Sequence, residues 1–325
     1  MKIAIDVMGG DNSPISNIKG VFSYLSKYND DKNKFILVGN SSVIKNILFN
    51  KFEQVSNVEI VNATQTISSK DTLSKIHKIK PDCPIVKCIS MLRDNDVDAV
   101  ISAGNTGALL SSSLFLLNKI KHIKRPALVP YIPSDKGDIL LCDAGANIHT
   151  KPLHMLQYAI MASEYYKLIN EKTNPRIGLI NIGTEKNKGT ELYKESYQLL
   201  NETMDGFVGF IESRDLLNGK VDIVISDGFT GNIMLKLIEG MFANFYELLK
   251  NNNLDCNNFF NEELLYENHG GAPFLGVEGI VVKCHGSSSY ISIENSILQV
   301  IRLYDTELIK KISIQTANSI NTIVE

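Results

Sequence analysis

Glycine-rich turns recur along the chain, and each turn follows a short apolar run and leads into a helical pattern. Glycine lets backbone amides approach a ligand closely, and the first turn of a helix carries partial positive charge. Such turns bind small anions, phosphate above all. Six of them occur, at Asp6–Asn12, Ser102–Gly107, Asp143–Asn147, Asn181–Glu185, Ser226–Asn232 and His285–Ser288. Although glycine is also an ordinary way to leave a strand, this number predicts a shared phosphate-binding cleft at the strand ends of an open sheet.

The glycine and polar residues of these turns are the candidate substrate and phosphate contacts. They are Asp6, Gly9, Gly10, Asp11, Gly104, Asn105, Thr106, Gly107, Asp143, Asn147, Glu185 and Gly228. The turn Gly104–Gly107 stands out because an amide, a hydroxyl and a helix terminus converge there, as in a small-anion cradle. An N-capped tight turn without a ligand is the alternative interpretation.

Four polar side chains beside these turns are the candidate catalytic residues. Lys188 lies next to a glycine at a helix start, where positive charge is mildly unfavourable unless it meets phosphate, and a solvated lysine is the alternative. Asp227 ends a buried run and must therefore meet a cation or amides. Asn232 lies one helical turn into the pattern that follows. His285 is the one histidine placed with a glycine turn, although it can equally cap that turn.

Several familiar chemical signatures are absent from the sequence. There is no Walker lysine motif and no GxGxxG turn after the first strand, which argues against nucleotide binding. The histidines show no HExxH or close metal-ligand spacing, so we expect neither a metal nor another cofactor. There is no GxSxG elbow, and Cys142 lies inside an apolar strand, where an inert buried thiol is the favoured interpretation. Covalent catalysis therefore has little support.

The apolar runs alternate with helical patterns, which is typical of an α/β protein. Most runs are apolar on both faces, which predicts a three-layer α/β/α arrangement around a mixed, largely parallel sheet of about ten strands. The runs are Lys2–Val7, Phe35–Val38, Val58–Val61, Ala99–Ser102, Leu128–Ile132, Ile139–Cys142, Ile177–Ile182, Phe207–Ile211, Ile223–Ser226 and Ile280–Cys284. We expect a single domain over residues 1–325, with residues 241–269 as a helical segment that projects from it.

The overall composition is that of an ordinary globular protein. Of 325 residues, 33 are Lys or Arg and 36 are Asp or Glu, so the formal net charge of -3 argues against a nucleic-acid partner. The five cysteines form no CxxC pair, as expected for reduced thiols in the cytoplasm. No run approaches the roughly 18 apolar residues that a membrane span requires.

The glycine turns occur in an order that resembles one bacterial enzyme family. The motifs are Met1–Asp11, Ser102–Gly107, Asp143–Asn147, Asn181–Glu185 with Lys188-Gly189, Ser226–Asn232, Gly270–Pro273 and His285–Ser287. Together they are similar to the phosphate acyltransferase PlsX family of bacterial phospholipid synthesis. The resemblance covers essentially the whole chain.

The resemblance implies a reaction, a fold and a set of partners. The reaction converts acyl-[acyl carrier protein] and inorganic phosphate into acyl phosphate and free carrier protein. The acyl phosphate then feeds phosphatidic acid synthesis through a membrane glycerol-3-phosphate acyltransferase. The implied fold is that of isocitrate and isopropylmalate dehydrogenases, in a cytoplasmic homodimer without a cofactor.

The chemistry of this implied reaction needs no protein nucleophile. Phosphate is already substantially ionised near neutral pH, so the enzyme mainly orients it and stabilises the oxyanion. We assign phosphate to Gly104–Gly107 and Lys188, and the developing oxyanion to Asn232 and nearby turn amides. Asp227 and His285 position these groups or pass a proton to the leaving thiol.

Two segments depart from the family pattern. After Lys80-Pro81-Asp82 relatives usually carry Ser-Ser, whereas Cys83-Pro84 follows here, which weakens the case for a substrate contact in that loop. Residues 241–269 are fewer than in relatives and contain five acidic residues against one lysine. Anionic lipid repels such a segment, so we predict only weak peripheral contact with a membrane or its acyltransferase, through Phe259 and Phe260.

Three other functions remain open on the sequence alone. An enzyme similar to phosphotransacetylases would use coenzyme A thioesters in place of the carrier protein. A scaffold protein would keep the fold without turnover, although the intact glycine turns and Lys188 weigh against it. A dehydrogenase would share only the fold, since no dinucleotide fingerprint is present.

Overall fold

The computed structural model describes residues 1–52, 55–68, 70–134, 136–170, 172–252 and 270–324. Within these residues the chain forms two compact units. The first unit contains the described residues of 1–119 and 267–309, and the second unit those of 120–266 and 310–325. Each unit consists of mainly parallel strands and of helices, so the predicted α/β class is confirmed.

Twelve strands lie within the described residues and form two sheets. They are β1 (Lys2–Asp6), β2 (Lys34–Gly39), β3 (Val58–Asn62), β4 (Ala99–Ser102), β5 (Ala127–Leu128), β6 (Tyr131–Ile132), β7 (Ile139–Cys142), β8 (Ile177–Ile180), β9 (Phe207–Ile211), β10 (Ile223–Ile225), β11 (Ala272–Leu275) and β12 (Ile280–Lys283). All ten predicted runs contain a strand. The predicted single sheet of about ten strands is nevertheless corrected to two sheets, because tertiary packing decides which strands pair.

Two differences in strand count have a local cause. The predicted run Leu128–Ile132 is divided into β5 and β6, because Pro130 between them lacks the amide that a continuous ladder requires. β11 has no counterpart among the predicted runs, since Pro273 within it argues against a strand. It pairs antiparallel with β12, with Pro273 opposite Val282.

Among the described helices, eight lie between strands and the last two follow β12. They are α1 (Ile15–Tyr28), α2 (Ser41–Lys51), α3 (Ile76–Ile79), α4 (Pro84–Arg93), α5 (Thr106–Leu116), α6 (Pro152–Asn170), α7 (Glu191–Thr203), α8 (Gly228–Asn251), α9 (Tyr290–Asp305) and α10 (Leu308–Val324), with short 3₁₀ turns at Leu73–Lys75 and Ser213–Asp215. Several helices begin directly at a glycine turn, as the sequence predicts for α5 and α8.

In the first unit the strand order is β3-β2-β1-β4-β12-β11. The strands from β3 to β12 are parallel, and the chain winds outward from β1 in both directions, so the order reverses between β1 and β4. Ligands of open α/β sheets bind at such a reversal. The register pairs Asp6 with Ser102 and Ser102 with Lys283. The turns after β1, β4 and β12 therefore lie side by side.

In the second unit the strand order is β6-β7-β10-β8-β9. β7, β10, β8 and β9 are parallel, and β6 pairs antiparallel with β7. The register pairs Ile225 with Cys142 on one side and with Leu179 on the other. The carboxyl ends of β7, β10 and β8 are therefore neighbours, and so are the glycine turns that follow them.

Each unit has its own apolar core. In the first unit β1 is buried on both faces, and α1 and α9 approach so closely that a Cβ on Gly20 would lie 2.5 Å from the Cβ of Ile293. In the second unit α6 is buried along most of its length, including Leu156 and Ile160. These cores hold the strand ends in place, because closely packed interiors leave little freedom to shift.

The predicted helical segment over residues 241–269 is seen in part. Its first eleven residues continue α8, which runs unbroken from Gly228 to Asn251. Phe259, Phe260 and the rest of the segment lie outside the described residues, so its projection from the fold stays a prediction. Among the described helices, none is both long enough and apolar enough to span a bilayer.

Candidate active site

A chain of hydrogen bonds joins the turns after β1 and β4 in the first unit. The Asp6 carboxylate is 2% exposed and accepts a hydrogen bond from Ser102 Oγ at 2.7 Å. Ser102 Oγ in turn accepts from Gly104 N at 3.0 Å. Burial raises the pKa of Asp6, while its hydrogen bonds and the charge of Lys283 act in the opposite direction. The carboxylate thus sets the start of the turn that leads into α5.

Gly9 lets the turn after β1 lie directly against the turn after β4. A Cβ on Gly9 would lie 2.5 Å from Asp6 Oδ2 and from Gly104 N, closer than real Cβ contacts allow. The buried side chain of Asn17 closes the same turn, because its Nδ2 donates to Gly9 O at 2.8 Å and to Asp6 O at 3.2 Å. The turn is therefore held from inside by a residue of α1.

The turn after β12 is joined to the turn after β1 through the backbone. Gly10 has φ +94°, a conformation that favours glycine, and Asp11 N donates to Gly286 O at 2.8 Å. His285 is exposed, and its Nδ1 accepts from Ser287 N at 3.3 Å and lies 2.7 Å from Ser287 Oγ. The turn-capping interpretation of His285 is thus seen in the structure. Because Nδ1 accepts from an amide, the ring proton belongs on Nε2.

The turn Gly104–Gly107 is an N-capped turn, as one of the two interpretations of the sequence has it, and its use as an anion cradle stays a prediction. Asn105 caps α5, since its Oδ1 accepts from Ala108 N at 3.0 Å. The amides of Thr106 and Gly107 come before that bond and belong to the first turn, which a helix leaves without internal acceptors. Asn105 and Thr106 are exposed. An N-capped turn of this kind still offers two amides and a hydroxyl to an anion.

In the second unit the Asp143 carboxylate organises the turn after β7. It is fully buried, and its Oδ1 accepts from Leu128 N at 3.0 Å and from Ala146 N at 3.1 Å. Its Oδ2 accepts from Asn147 N at 2.8 Å and from Asn147 Nδ2 at 3.0 Å. Burial raises the pKa of Asp143 in spite of these donors. Asp143 and Asn147 therefore shape the turn, and hydrogen bonds within the protein occupy both carboxylate oxygens and Asn147 Nδ2.

Asp227 caps α8 and binds a tyrosine. Its Oδ1 accepts from Phe229 N at 3.0 Å and from Thr230 N at 2.9 Å. Its Oδ2 accepts from Thr230 Oγ1 at 2.7 Å and from Tyr193 OH at 2.6 Å. The expectation that Asp227 meets amides is confirmed. Burial and the neighbouring carboxylate raise the pKa of Tyr193 to about 12, so the phenol remains a donor at neutral pH.

The first turn of α8 packs tightly on the turn after β7. A Cβ on Gly228 would lie 2.6 Å from Asp143 Oδ2 and 2.9 Å from Asn147 N. Gly145 has φ +124°, and a Cβ there would lie 3.1 Å from Asn232 Oδ1. Asn232 itself is exposed. Glycines thus bring the exposed amide of Asn232 next to the backbone of the neighbouring turn.

Lys188 lies on a closed turn after β8. Its Nζ is 2.8 Å from Glu185 Oε1, and its side chain is 47% exposed. Asn181 Nδ2 donates to Lys188 O at 3.1 Å. The next residue, Gly189, has φ +91° and lies against the side chain of Asn181. The ion pair lowers the pKa of Glu185. An exposed ion pair of this kind is weak, so Glu185 holds the ammonium of Lys188 only loosely.

The cysteines near these turns are buried thiols. Burial raises the pKa of Cys142 well above its ordinary value, as the sequence interpretation of an inert thiol requires. Cys83 is also fully buried with a raised pKa, and it precedes Pro84 at the start of α4. Its side chain fills the core of the first unit, so it offers no group to a substrate.

The structure gathers the predicted residues in two sets, one in each unit. At the carboxyl ends of β1, β4 and β12 of the first unit lie Asp6, Gly9, Gly10, Asp11, Gly104, Asn105, Thr106, Gly107 and His285. At the carboxyl ends of β7, β8 and β10 of the second unit lie Asp143, Asn147, Glu185, Lys188, Asp227, Gly228 and Asn232. Their common action on one phosphate stays a prediction.

Sequence reasoning did not assign a role to several residues of these sets. Asn17 carried a signal, since it is a polar residue on the buried face of α1. Lys283 also carried one, as the single charge in the apolar run Ile280–Cys284. Tyr193 carried none, because it lies 34 residues before Asp227 on another helix. Only the folded chain brings that phenol to the cap of α8.

Comparison with known proteins identifies the family. The sequence model of the family described as "Fatty acid synthesis protein" matches residues 1–311. The chain belongs to this family. The phosphate acyltransferase of Alkaliphilus oremlandii is 39% identical over 327 residues, with 96% of both chains covered. That of Caldicellulosiruptor saccharolyticus is 41% identical over 324 residues, covering 95% of this chain and 96% of its own. The predicted phosphate acyltransferase family, and with it the enzyme class, is confirmed.

Solved structures of phosphotransacetylases share the fold of this family member. One from Streptococcus pyogenes has a TM-score of 0.63 at 14% identity and covers 94% of both chains. The EutD phosphotransacetylase from Staphylococcus aureus has a TM-score of 0.58 at 12% identity, covering 96% of this chain and 94% of its own. At such low identity the likeness concerns the fold alone. The likeness to dehydrogenases stays a prediction.

The contact between Gly228 and the turn after β7 generates a prediction. Gly228→Ala places a methyl group against Asp143 and Asn147, so we expect it to lower the free energy of unfolding by about 1–3 kcal/mol. The same change at Gly240, in the same helix, meets nothing within 4 Å. Gly240→Ala is expected to raise that free energy by about 0.5–1 kcal/mol. Urea unfolding of both variants measures the difference, and equal midpoints would contradict the close contact.

Proposed function

We propose that the protein transfers an acyl group from acyl-[acyl carrier protein] to inorganic phosphate. The products are acyl phosphate and free carrier protein, and the acyl phosphate serves phosphatidic acid synthesis. The observation that carries this proposal is the exposed ion pair of Lys188 on a glycine turn, in a chain of the phosphate acyltransferase family. A lysine held beside a strand end by a displaceable carboxylate is suited to receive a phosphate.

The proposed reaction proceeds by direct attack of phosphate on the thioester. A phosphate oxygen forms a bond to the carbonyl carbon, the bond from that carbon to sulfur breaks, and the thiolate leaves and takes up a proton. Phosphate is ionised at neutral pH, so no protein side chain has to become the nucleophile. Orientation and stabilisation of the oxyanion then supply the catalysis. The buried thiols Cys142 and Cys83 are consistent with this route.

The surroundings of each predicted residue refine its proposed role. Asp143 and Asp227 accept hydrogen bonds on both carboxylate oxygens, so we assign them to positioning rather than to proton transfer. Asn232 is exposed and keeps its amide available for an oxyanion. His285 is exposed, so its Nε2–H can donate a hydrogen bond to the leaving thiolate, which then takes its proton from water.

The alternative with coenzyme A thioesters has weaker support. The phosphotransacetylase structures share 12–14% of their residues with this chain, whereas the named phosphate acyltransferases share 39–41% over nearly the whole length. The choice of donor is therefore proposed from the resemblance to the phosphate acyltransferase family rather than from the fold. The same assay that tests the function also separates the two donors.

The first prediction of this proposal concerns turnover itself. Purified protein with a long-chain acyl-[acyl carrier protein] and inorganic phosphate is expected to form acyl phosphate, which hydroxylamine traps as a hydroxamate. We expect product only when phosphate is present, and at least about tenfold less with the matched acyl-coenzyme A. Thioester loss that does not depend on phosphate would contradict the function. Faster product formation from acyl-coenzyme A would show that coenzyme A, and not the carrier protein, carries the acyl group.

The second prediction concerns the two lysines of the turn after β8. Lys188→Ala removes the proposed phosphate charge, so we expect kcat/KM for phosphate to fall by about tenfold to a hundredfold, as for a lost charged hydrogen bond. Lys186→Ala is the matched control, because Lys186 Nζ lies 5.5 Å from the ring of Tyr197. It is expected to stay within about threefold of wild type. Equal losses of kcat/KM in both variants would show that only the net positive charge of the turn matters, and would contradict a specific role of Lys188.

We also propose a homodimer with weak membrane contact. Phe229, Ile233, Leu237 and Met241 recur every four residues along α8 and are each more than half exposed, which suits a protein partner. Analytical ultracentrifugation is expected to give a mass of twice the 36.1 kDa chain. In a separate co-sedimentation experiment with anionic vesicles at physiological salt, we expect most of the protein to remain in solution. A single-chain mass would contradict the dimer, and co-sedimentation with the vesicles would contradict the weak contact.

A further inference from the structure

Lys283 is a buried cation at the carboxyl end of β12. It is 8% exposed and closes a strand whose other residues are apolar. Lysine is rarely buried, because an ammonium loses its hydration unless polar partners replace it. The neighbouring strand places Ser102 opposite Lys283, and the next strand places Asp6 opposite Ser102. The cation therefore lies at the same edge as the turn Gly104–Gly107.

The ammonium of Lys283 donates to two turns of the first unit. Its Nζ lies 3.5 Å from Ala103 O, and it also donates to Cys284 O. Ala103 directly precedes Gly104, and Cys284 directly precedes His285. One cation thus holds the backbone at the start of the turn after β4 and at the start of the turn after β12. An apolar side chain at this position could fill the same space but could not donate these hydrogen bonds.

The charge of Lys283 also acts on Asp6. Burial raises the pKa of the Asp6 carboxylate, and the charge of Lys283 acts in the opposite direction by favouring the ionised form. Ser102 Oγ connects that carboxylate to Gly104 N through two hydrogen bonds. A negative charge so close to the first turn of α5 opposes an anion there, and in a buried setting the repulsion is little screened. The positive charge of Lys283 offsets this repulsion between the Asp6 carboxylate and the anion.

We propose that Lys283 is a positioning residue for phosphate: it offsets the charge of Asp6 and orients the Ala103–Gly104 backbone, so that the first-turn amides of α5 can hold the anion. The inference rests on the proposed function, because the anion is the phosphate of that reaction. It adds a charge pair, Lys283 and Asp6, to a turn that the sequence described through its glycines and amides alone.

A set of four variants tests this pair. Lys283→Met leaves Asp6 uncompensated, so we expect the KM for phosphate to rise about tenfold while the KM for the acyl donor changes less than about twofold. Lys283→Arg keeps the charge and is expected to stay within about threefold of wild type. The double variant Asp6→Asn with Lys283→Met removes both charges and is expected to regain most of the loss. Lys45→Met, at an exposed lysine of α2, is the control without effect.

Two results would overturn the proposal. One is a Lys283→Met variant in which both KM values rise equally and the double variant is no better, which would make Lys283 a structural residue only. The other concerns folding: if Lys283→Met does not fold, the double variant must fold, because the uncompensated carboxylate is gone, and an unfolded double variant counts against the charge pair.

A second measurement separates this inference from the proposed function. Inorganic phosphate alone is expected to raise the Tm of the wild-type protein, and Lys283→Met is expected to lose that rise while the double variant regains it. This readout does not need turnover. Absence of acyl phosphate formation would therefore reject the function, whereas a phosphate-dependent Tm that ignores Lys283 would reject the charge pair.

Discussion

Three buried carboxylates at the ends of parallel strands are the interaction on which both sets of turns depend. Asp6, Asp143 and Asp227 are 2%, 0% and 8% exposed, and each accepts hydrogen bonds from the amides or hydroxyls of the turns beside it. A buried carboxylate is costly unless donors surround it. The turns are therefore arranged so that their donors surround the carboxylate, and glycine is needed where two backbones meet there, as at Gly9 and Gly228.

This arrangement divides the polar residues into two kinds. The buried carboxylates and Asn147 have their hydrogen-bonding groups used within the turns, so they shape the site. The exposed groups, such as Thr106, Lys188 and Asn232, lie on the turns that the first kind holds. Electrostatic catalysis requires groups that are fixed before the substrate arrives. The proposed acyl transfer without a covalent step depends on such fixed turns more than on any single reactive side chain.

The positions of most elements and turns could be predicted from the sequence, because they depend on local patterns. All ten apolar runs contain a strand, and the cap of α8 at Asp227 follows from a carboxylate between a buried run and a helix. The division at Pro130 was missed although its cause is local. The phenol of Tyr193 could not be predicted, since nothing near it in the chain points to Asp227.

The amino-acid sequence by itself determined the family, the α/β class and the residues that form the glycine turns, because order along the chain is enough to recognise them. The tertiary structure alone decided that the strands form two sheets and that Lys283 lies at the same edge as Asp6. It also decided which polar groups are consumed by the turns and which stay exposed. Strand pairing and burial arise from contacts between distant segments, and no local pattern encodes them.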